Sequence, residues 1–184
     1  MKELLFIRAS GFSASLTAQV LTPKASPAAK VQQKVGLADI QIEYGRPSAK
    51  GRVIFGELIP YGQTWRLGAN ENTKITSSEA LIFGKDTLKA GTYALFAKPG
   101  QSTWEFYFYT DYINWGLPEK WEDAKVALTV SAPVLSSQEM TENLSIQFDD
   151  LQYNGAKIVV SWDHTKVTIP FSLNTKSKVL ASID

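Results

Sequence analysis

The chain reads as an all-β protein, an antiparallel β-sandwich or jelly-roll-like single domain. Three observations carry that reading. Short segments alternate apolar and polar residues with a period of two, as in Ala38–Tyr44, where Ile40, Ile42 and Tyr44 face one way and Asp39, Gln41 and Glu43 the other. Gly, Pro and Asn clusters punctuate the text at near-regular spacing, and almost no stretch holds a helical period. Aromatic residues make up 11% of the 184 positions, a content that suits pleated, half-buried surfaces.

Residues 1–19 are expected to be a secretory leader. Lys2 supplies the positive start, Leu4-Leu5-Phe6-Ile7 begins an apolar core, and small residues precede a cut near Thr17-Ala18-Gln19. Arg8 interrupts that core and Glu3 weakens the positive end; an amphipathic N-terminal helix is the alternative. Residues 20–36 carry two prolines and few large apolar side chains, and read as a linker or extended first segment with a strand at Lys30–Val35. The sandwich itself is expected over 37–173, with 174–184 as a polar tail.

Within it, Ala38–Tyr44 is a half-buried strand that Gly45-Arg46-Pro47-Ser48 breaks, because the residue before proline is pushed out of the helical region. Val53–Ile59 is apolar but short and stops at Pro60; a helical turn and a short strand both fit. Thr73–Ser77 and Leu81–Phe83 are short strands, Gly84-Lys85 turns the chain, and Lys89-Ala90-Gly91 leads into a strand at Thr92–Lys98. Pro99-Gly100 marks a hairpin turn. Thr103–Tyr109, TWEFYFY, is aromatic on both faces and predicts a central strand covered on each side. Asn114–Pro118 is a loop, and Glu119–Asp123 suits one helical turn. Strands follow at Lys125–Ser131, Asn143–Phe148, Lys157–Trp162 and Val167–Phe171, for eight or nine in all.

Composition excludes several classes. Net charge is +1, signs are interspersed and no Lys/Arg run stands out, so nucleic acid is not an expected partner. No run of about eighteen apolar residues appears, so no membrane span is expected. Cysteine is absent, which removes disulfides, thiolate nucleophiles and Cys-ligated metal; no metal or cofactor is expected. The lone histidine, His164, sits in Trp162-Asp163-His164-Thr165-Lys166 and reads as a surface hairpin turn rather than a catalytic base. Asp149-Asp150 is neighbouring carboxylates on opposite strand faces or in a solvated turn, which does not make a metal site. Trp104, Trp115, Trp121 and Trp162 read as core or loop packing rather than a sugar platform.

The chemistry concentrates in Tyr44–Thr73. Five of the twelve glycines fall there, and so do Arg46, Arg52 and Arg66, every arginine beyond the leader. A guanidinium is a planar fork that grips carboxylates or phosphates at two points and tolerates partial burial, unlike the solvated ammonium of lysine. One reading is a ligand site: Arg46, Arg52 and Arg66 hold a small anionic, polar or carbohydrate-like ligand, Tyr61 or Trp65 stacks on it, and Asn70 and Glu71 give directional bonds. The more ordinary outcome is an internal clasp in which the arginines pair with Glu57 and Glu71 and bond loop carbonyls, since structural ion networks outnumber functional ones. Two further readings are a carboxylate-dependent hydrolase with Glu71 as acid or base, and a structural envelope protein without a ligand site. No nucleophile–base pair is evident, so enzymatic activity is not the leading expectation, and oligomeric state is open.

Four blocks in the text carry a resemblance. R-P-S-x-K-G-R (Arg46 to Arg52), I-F-G-x-L-x-P-Y-G (Ile54 to Gly62), W-R-x-G-A-N-E (Trp65 to Glu71) and A-G-T-Y-x-L-F (Ala90 to Phe96) resemble the bacterial family called domain of unknown function 2911. With Trp115-Gly116 and the closing strands, the likeness spans about Val35 to Phe171. It implies export, to the periplasm or beyond, and a single domain; it implies no activity and no catalytic residues.

Overall fold

The structure, a computed structural model, describes residues 22–181 and 183. The expected leader at 1–19 lies outside the described residues. The chain forms a hydrogen-bonded series of antiparallel strands: β1 (Ala28–Val35), β2 (Ala38–Gly45), β3 (Lys74–Ser77), β4 (Leu81–Phe83), β5 (Asp86–Leu88), β6 (Gly91–Lys98), β7 (Thr103–Tyr109), β8 (Val126–Gln152) and β9 (Gly155–Ser172). Their order is β1-β2-β3-β6-β7-β8-β9-β4-β5. A short helix, α1 (Thr175–Ala181), occupies the region read as a polar tail.

The series folds over into two layers because β8 serves both of them. Its first part, Val126–Pro133, pairs with β7, and from Val134 onward it pairs with β9. At about 3.4 Å per residue a straight strand of 27 residues would far outrun a small domain. The register breaks between Ser136 and Thr141, and again between Thr141 and Ser145, are where β8 bends. The apolar faces of the two halves then meet. Ile40, Ile42, Ile75, Leu95, Phe106 and Phe108 of one layer pack against Leu144, Ile146, Ile158, Val160 and Trp162 of the other. Phe83 sits 5.1 Å from Phe108, ring centre to ring centre, across that interior.

This corrects two boundaries expected from the sequence. The expected strands Lys125–Ser131, which begins at Val126, and Asn143–Phe148 are parts of one strand, and so are Lys157–Trp162 and Val167–Phe171. His164 is therefore not in a hairpin turn. The polar stretch Asp163–Lys166 stays in β9, with Asp163 at φ 55 taking up the bend opposite the break in β8. The His164 ring Nδ1 lies 3.0 Å from Ser137 O, on the surface. β5, too short to stand out, replaces what reads as plain turn after Gly84. The helical turn near Glu119 forms slightly later, as a 3-10 turn at Asp123–Lys125.

β7 is covered on both sides, for the reason its aromatic text suggests. Trp104, Phe106 and Phe108 point into the main core, while Tyr107 and Tyr109 point to the outer face, where Trp121 caps them with Phe96 and Ala94. The connection from β7 to β8 therefore lies, through Trp121, against the outer face of the first layer.

Candidate functional site

The arginine-rich window does two separate jobs. Its first block closes the edge of the sandwich. Beyond β2, residues 46–50 run beside β8: Ala49 N donates to Glu142 O (2.7 Å), Leu144 N to Pro47 O (2.9 Å) and Arg46 Nε to Leu144 O (2.9 Å). Tyr44 Oη accepts from Ile146 N at 2.9 Å, tying β2 to the opposite layer. Arg52 folds back on its own turn, with Nε to Ala49 O at 3.0 Å and Nη2 to Ser48 O at 2.6 Å. These guanidinium groups satisfy carbonyls that a bent, irregular segment would otherwise leave bare. The expected arginine–glutamate pairs do not form: the ion pairs among the described residues all use lysine.

The third block, Trp65–Glu71, builds a strained loop. Leu67 and Asn70 both adopt positive φ, 51° and 64°, a region costly for residues with a side chain. Four contacts hold it there. Trp65 Nε1 donates to Gly68 O (3.1 Å), Thr73 Oγ1 to Leu67 O (2.8 Å), Arg66 Nη1 to Asn70 O (2.6 Å) and Asn70 Nδ2 to Ser26 O (3.0 Å). Gly45 is required beside it, since a Cβ there would lie 2.1 Å from Ala69 O. The Arg66 guanidinium is packed on its far side against Gly116, where a Cβ would come within 3.0 Å of it.

Behind this loop lies an open cleft of about 280 Å³ on the outer face of β1, β2 and β3. Its walls carry Lys24, Lys30 and Lys74, the acidic residues Glu43 and Glu71, and Asn70 and Asn72. The register explains the floor: Lys30, Glu43 and Lys74 are direct cross-strand neighbours and so project to one side. Lys30 Nζ sits 3.7 Å from a Glu43 oxygen. Glu71 is exposed and Lys74 partly buried, and neither takes part in an ion pair. Asn72 is 3% exposed, and neither its Nδ2 nor its Oδ1 has a hydrogen-bond partner within the protein. Trp115, 65% exposed, stands nearby with the Lys24 ammonium 5.9 Å from its ring centre.

Of the residues singled out by sequence, the cleft gathers only Asn70 and Glu71. Arg66 props the loop from behind, while Arg46 and Arg52 belong to the edge clasp. Trp65 is 7% exposed and stacks on Trp162 at 5.8 Å, so its ring is core and not a platform. Tyr61 is exposed on the far turn against Gly56, away from the cleft walls. The cleft residues that sequence reasoning passed over are Lys24, Lys30, Glu43, Asn72 and Lys74. Lys30 and Glu43 were legible as polar positions of alternating strands, but only strand register puts them beside Lys74. No group of three His, Cys, Asp or Glu side chains among the described residues is arranged to hold a metal ion. No helix among them is long and apolar enough to cross a membrane.

Fold and motif together define a single-domain β-sandwich whose glycine- and arginine-rich segment shapes one polar cleft. The chain belongs to the family described as Protein of unknown function (DUF2911), whose model matches residues 26–171. Neither the curated proteins nor the solved structures give a match.

Proposed function

We propose that this protein is an exported binding protein that takes a small polar, anionic ligand in the cleft between β1–β3 and the Trp65–Asn72 loop. The observation that carries the reading is Asn72. A buried amide with no partner costs about 1–3 kcal/mol; both of its polar atoms are closed off from the surface, so a ligand would satisfy them only as the strained loop shifts to admit it. The strained loop beside it supports the same reading, because backbone strain held by many bonds clusters at ligand sites. Three lysines against two glutamates leave the cleft one positive charge in excess, with Lys74 free to meet a carboxylate. Glu71 and Asn70 would meet ligand hydroxyls or amines.

Isothermal titration of the parent against a panel of small hydroxylated carboxylates and neutral sugars tests this. Binding of a carboxylate that is lost in Asn72→Leu and in Lys74→Met, with melting temperature not lowered, supports the reading. Binding that persists in both variants, or none across the panel, removes it. A second reading, carboxylate-based hydrolysis, is favoured by one feature: Glu43 and Glu71 line the same cleft. Turnover of a chromogenic glycoside or ester that is abolished in Glu71→Gln would support it, and turnover unaffected by that change would remove it.

A further inference from the structure

We propose that a depression on the outer face, floored by β6, β7 and β8 and walled by Trp121, is a separate binding groove for a neutral oligosaccharide. It consists of two adjoining hollows of about 540 and 300 Å³ that share Gly62 and Lys98. The strand register lays out its floor in rows: Lys98, Glu105 and Ser131 form one, Phe96, Tyr107 and Thr129 the next. From Thr103 to Tyr107 the floor runs roughly 14 Å, the length of a short oligomer rather than one ring.

At one end an aromatic corner forms. Trp121 and Tyr107 lie 5.4 Å apart at 70°, and Trp121 is braced from below by Tyr109 at 4.7 Å. The indole is partly buried, so it is held in place yet open to the groove. Such a corner offers a flat apolar surface for the C–H face of a sugar ring. Polar groups then occupy the floor with one valence used and another left over. Glu105 Oε2 accepts from Tyr107 Oη (2.8 Å) and lies 3.5 Å from Lys98 Nζ, while no bond engages Oε1. Asp123 Oδ1 accepts from Trp121 Nε1 (3.0 Å), and no bond engages Oδ2. Thr64 and Thr129 add hydroxyls that can donate or accept.

The charges decide which sugars fit. Lys98 offsets Glu105, and Asp123 leaves a single negative charge, so the groove repels uronates and phosphorylated sugars and has no deep site for a cation. Carboxylates fixed by internal bonds and set beside a stacked ring are the chemistry of neutral hydroxyl recognition. This differs from the lysine-rich cleft on β1–β3, with which it shares no lining residue, and the two sites stand or fall independently.

The protein carries its own reporter. Trp65, Trp104 and Trp162 are buried, so in Trp115→Phe the indole of Trp121 is the one left within reach of a solvent quencher. Acrylamide quenching of that variant is measured with cello-, xylo-, manno- and chito-oligosaccharides, and with oligogalacturonate as the charged arm. The expected result is saturable protection of Trp121 by at least one neutral series. Adding Thr129→Arg, an exposed mid-strand change that fills the floor, should weaken it by about tenfold or more without moving the melting temperature. Adding Asn72→Leu should leave it unchanged. Protection by none of the neutral series, equal protection with Thr129→Arg, loss with Asn72→Leu, or stronger protection by oligogalacturonate would each overturn the proposal.

Discussion

Asn72 occupies a position where an apolar residue of the same shape is the simpler solution, since both ends of its amide are buried and unbonded. The Asn72→Leu variant should therefore be as stable as the parent or more stable, by up to about 1–3 kcal/mol in denaturant unfolding, because the desolvation cost disappears. A clear loss of stability would mean the amide is satisfied in solution and has a structural role. The arginines behave in the opposite way. Arg46→Ala and Arg66→Ala remove charge-assisted bonds to Leu144 O and Asn70 O, and each should cost about 1.5–3 kcal/mol. Lysine should restore little, because one ammonium does not reproduce the fork. Tyr107 gives a pH signature. Burial first, and then its bond to Glu105, push its phenol up to about 12 from the usual 10.0. A raised folded-state value means the stabilisation is complete below pH 10 and is lost as pH rises through about 12. Phenolate absorbance should show a late ionisation that disappears in Tyr107→Phe.

At the level of elements, the close meeting of β2 with the Trp65–Asn72 loop is the most sensitive joint. Gly45→Ala drives a methyl into Ala69 O, and a cost of about 1–3 kcal/mol or more is expected in the thermal melt, with the cleft distorted as well. A harmless Gly45→Ala would show that the loop can retreat. The strands themselves were mostly legible, because Ile40-Ile42-Tyr44 and Trp104-Phe106-Phe108 follow the pleat. What could not be read was continuity. Met140 and Glu139 in β8, like His164 in β9, interrupt the alternation as a turn would, yet here a bend opposite a bend keeps the two strands paired. Sequence alternation reports which face is buried, and it carries no information on whether a polar interruption reverses the chain or merely kinks it.

For the whole molecule, the two halves share β8 and one apolar interior, so neither layer can keep its core when the other opens. Unfolding should be a single transition by near- and far-ultraviolet circular dichroism, and refolding should take milliseconds to seconds, as expected when most pairings are distant in sequence. Two resolved transitions would contradict a common core. The site was legible only as a neighbourhood. Clustered arginines lie in the stretch that supplies one wall of the cleft, but their forks are spent on carbonyls, and Lys30, Glu43 and Lys74 come from strands whose register no single sequence displays. The account rests on Asn72 facing a ligand, and the most direct measurement is the shift of its side-chain amide in a nitrogen–proton correlation spectrum. During titration with small hydroxylated carboxylates, the Asn72 amide pair should move saturably, together with the backbone amides of Ala69–Glu71. If that pair stays fixed across the whole panel while the protein remains folded, the cleft is not a binding site.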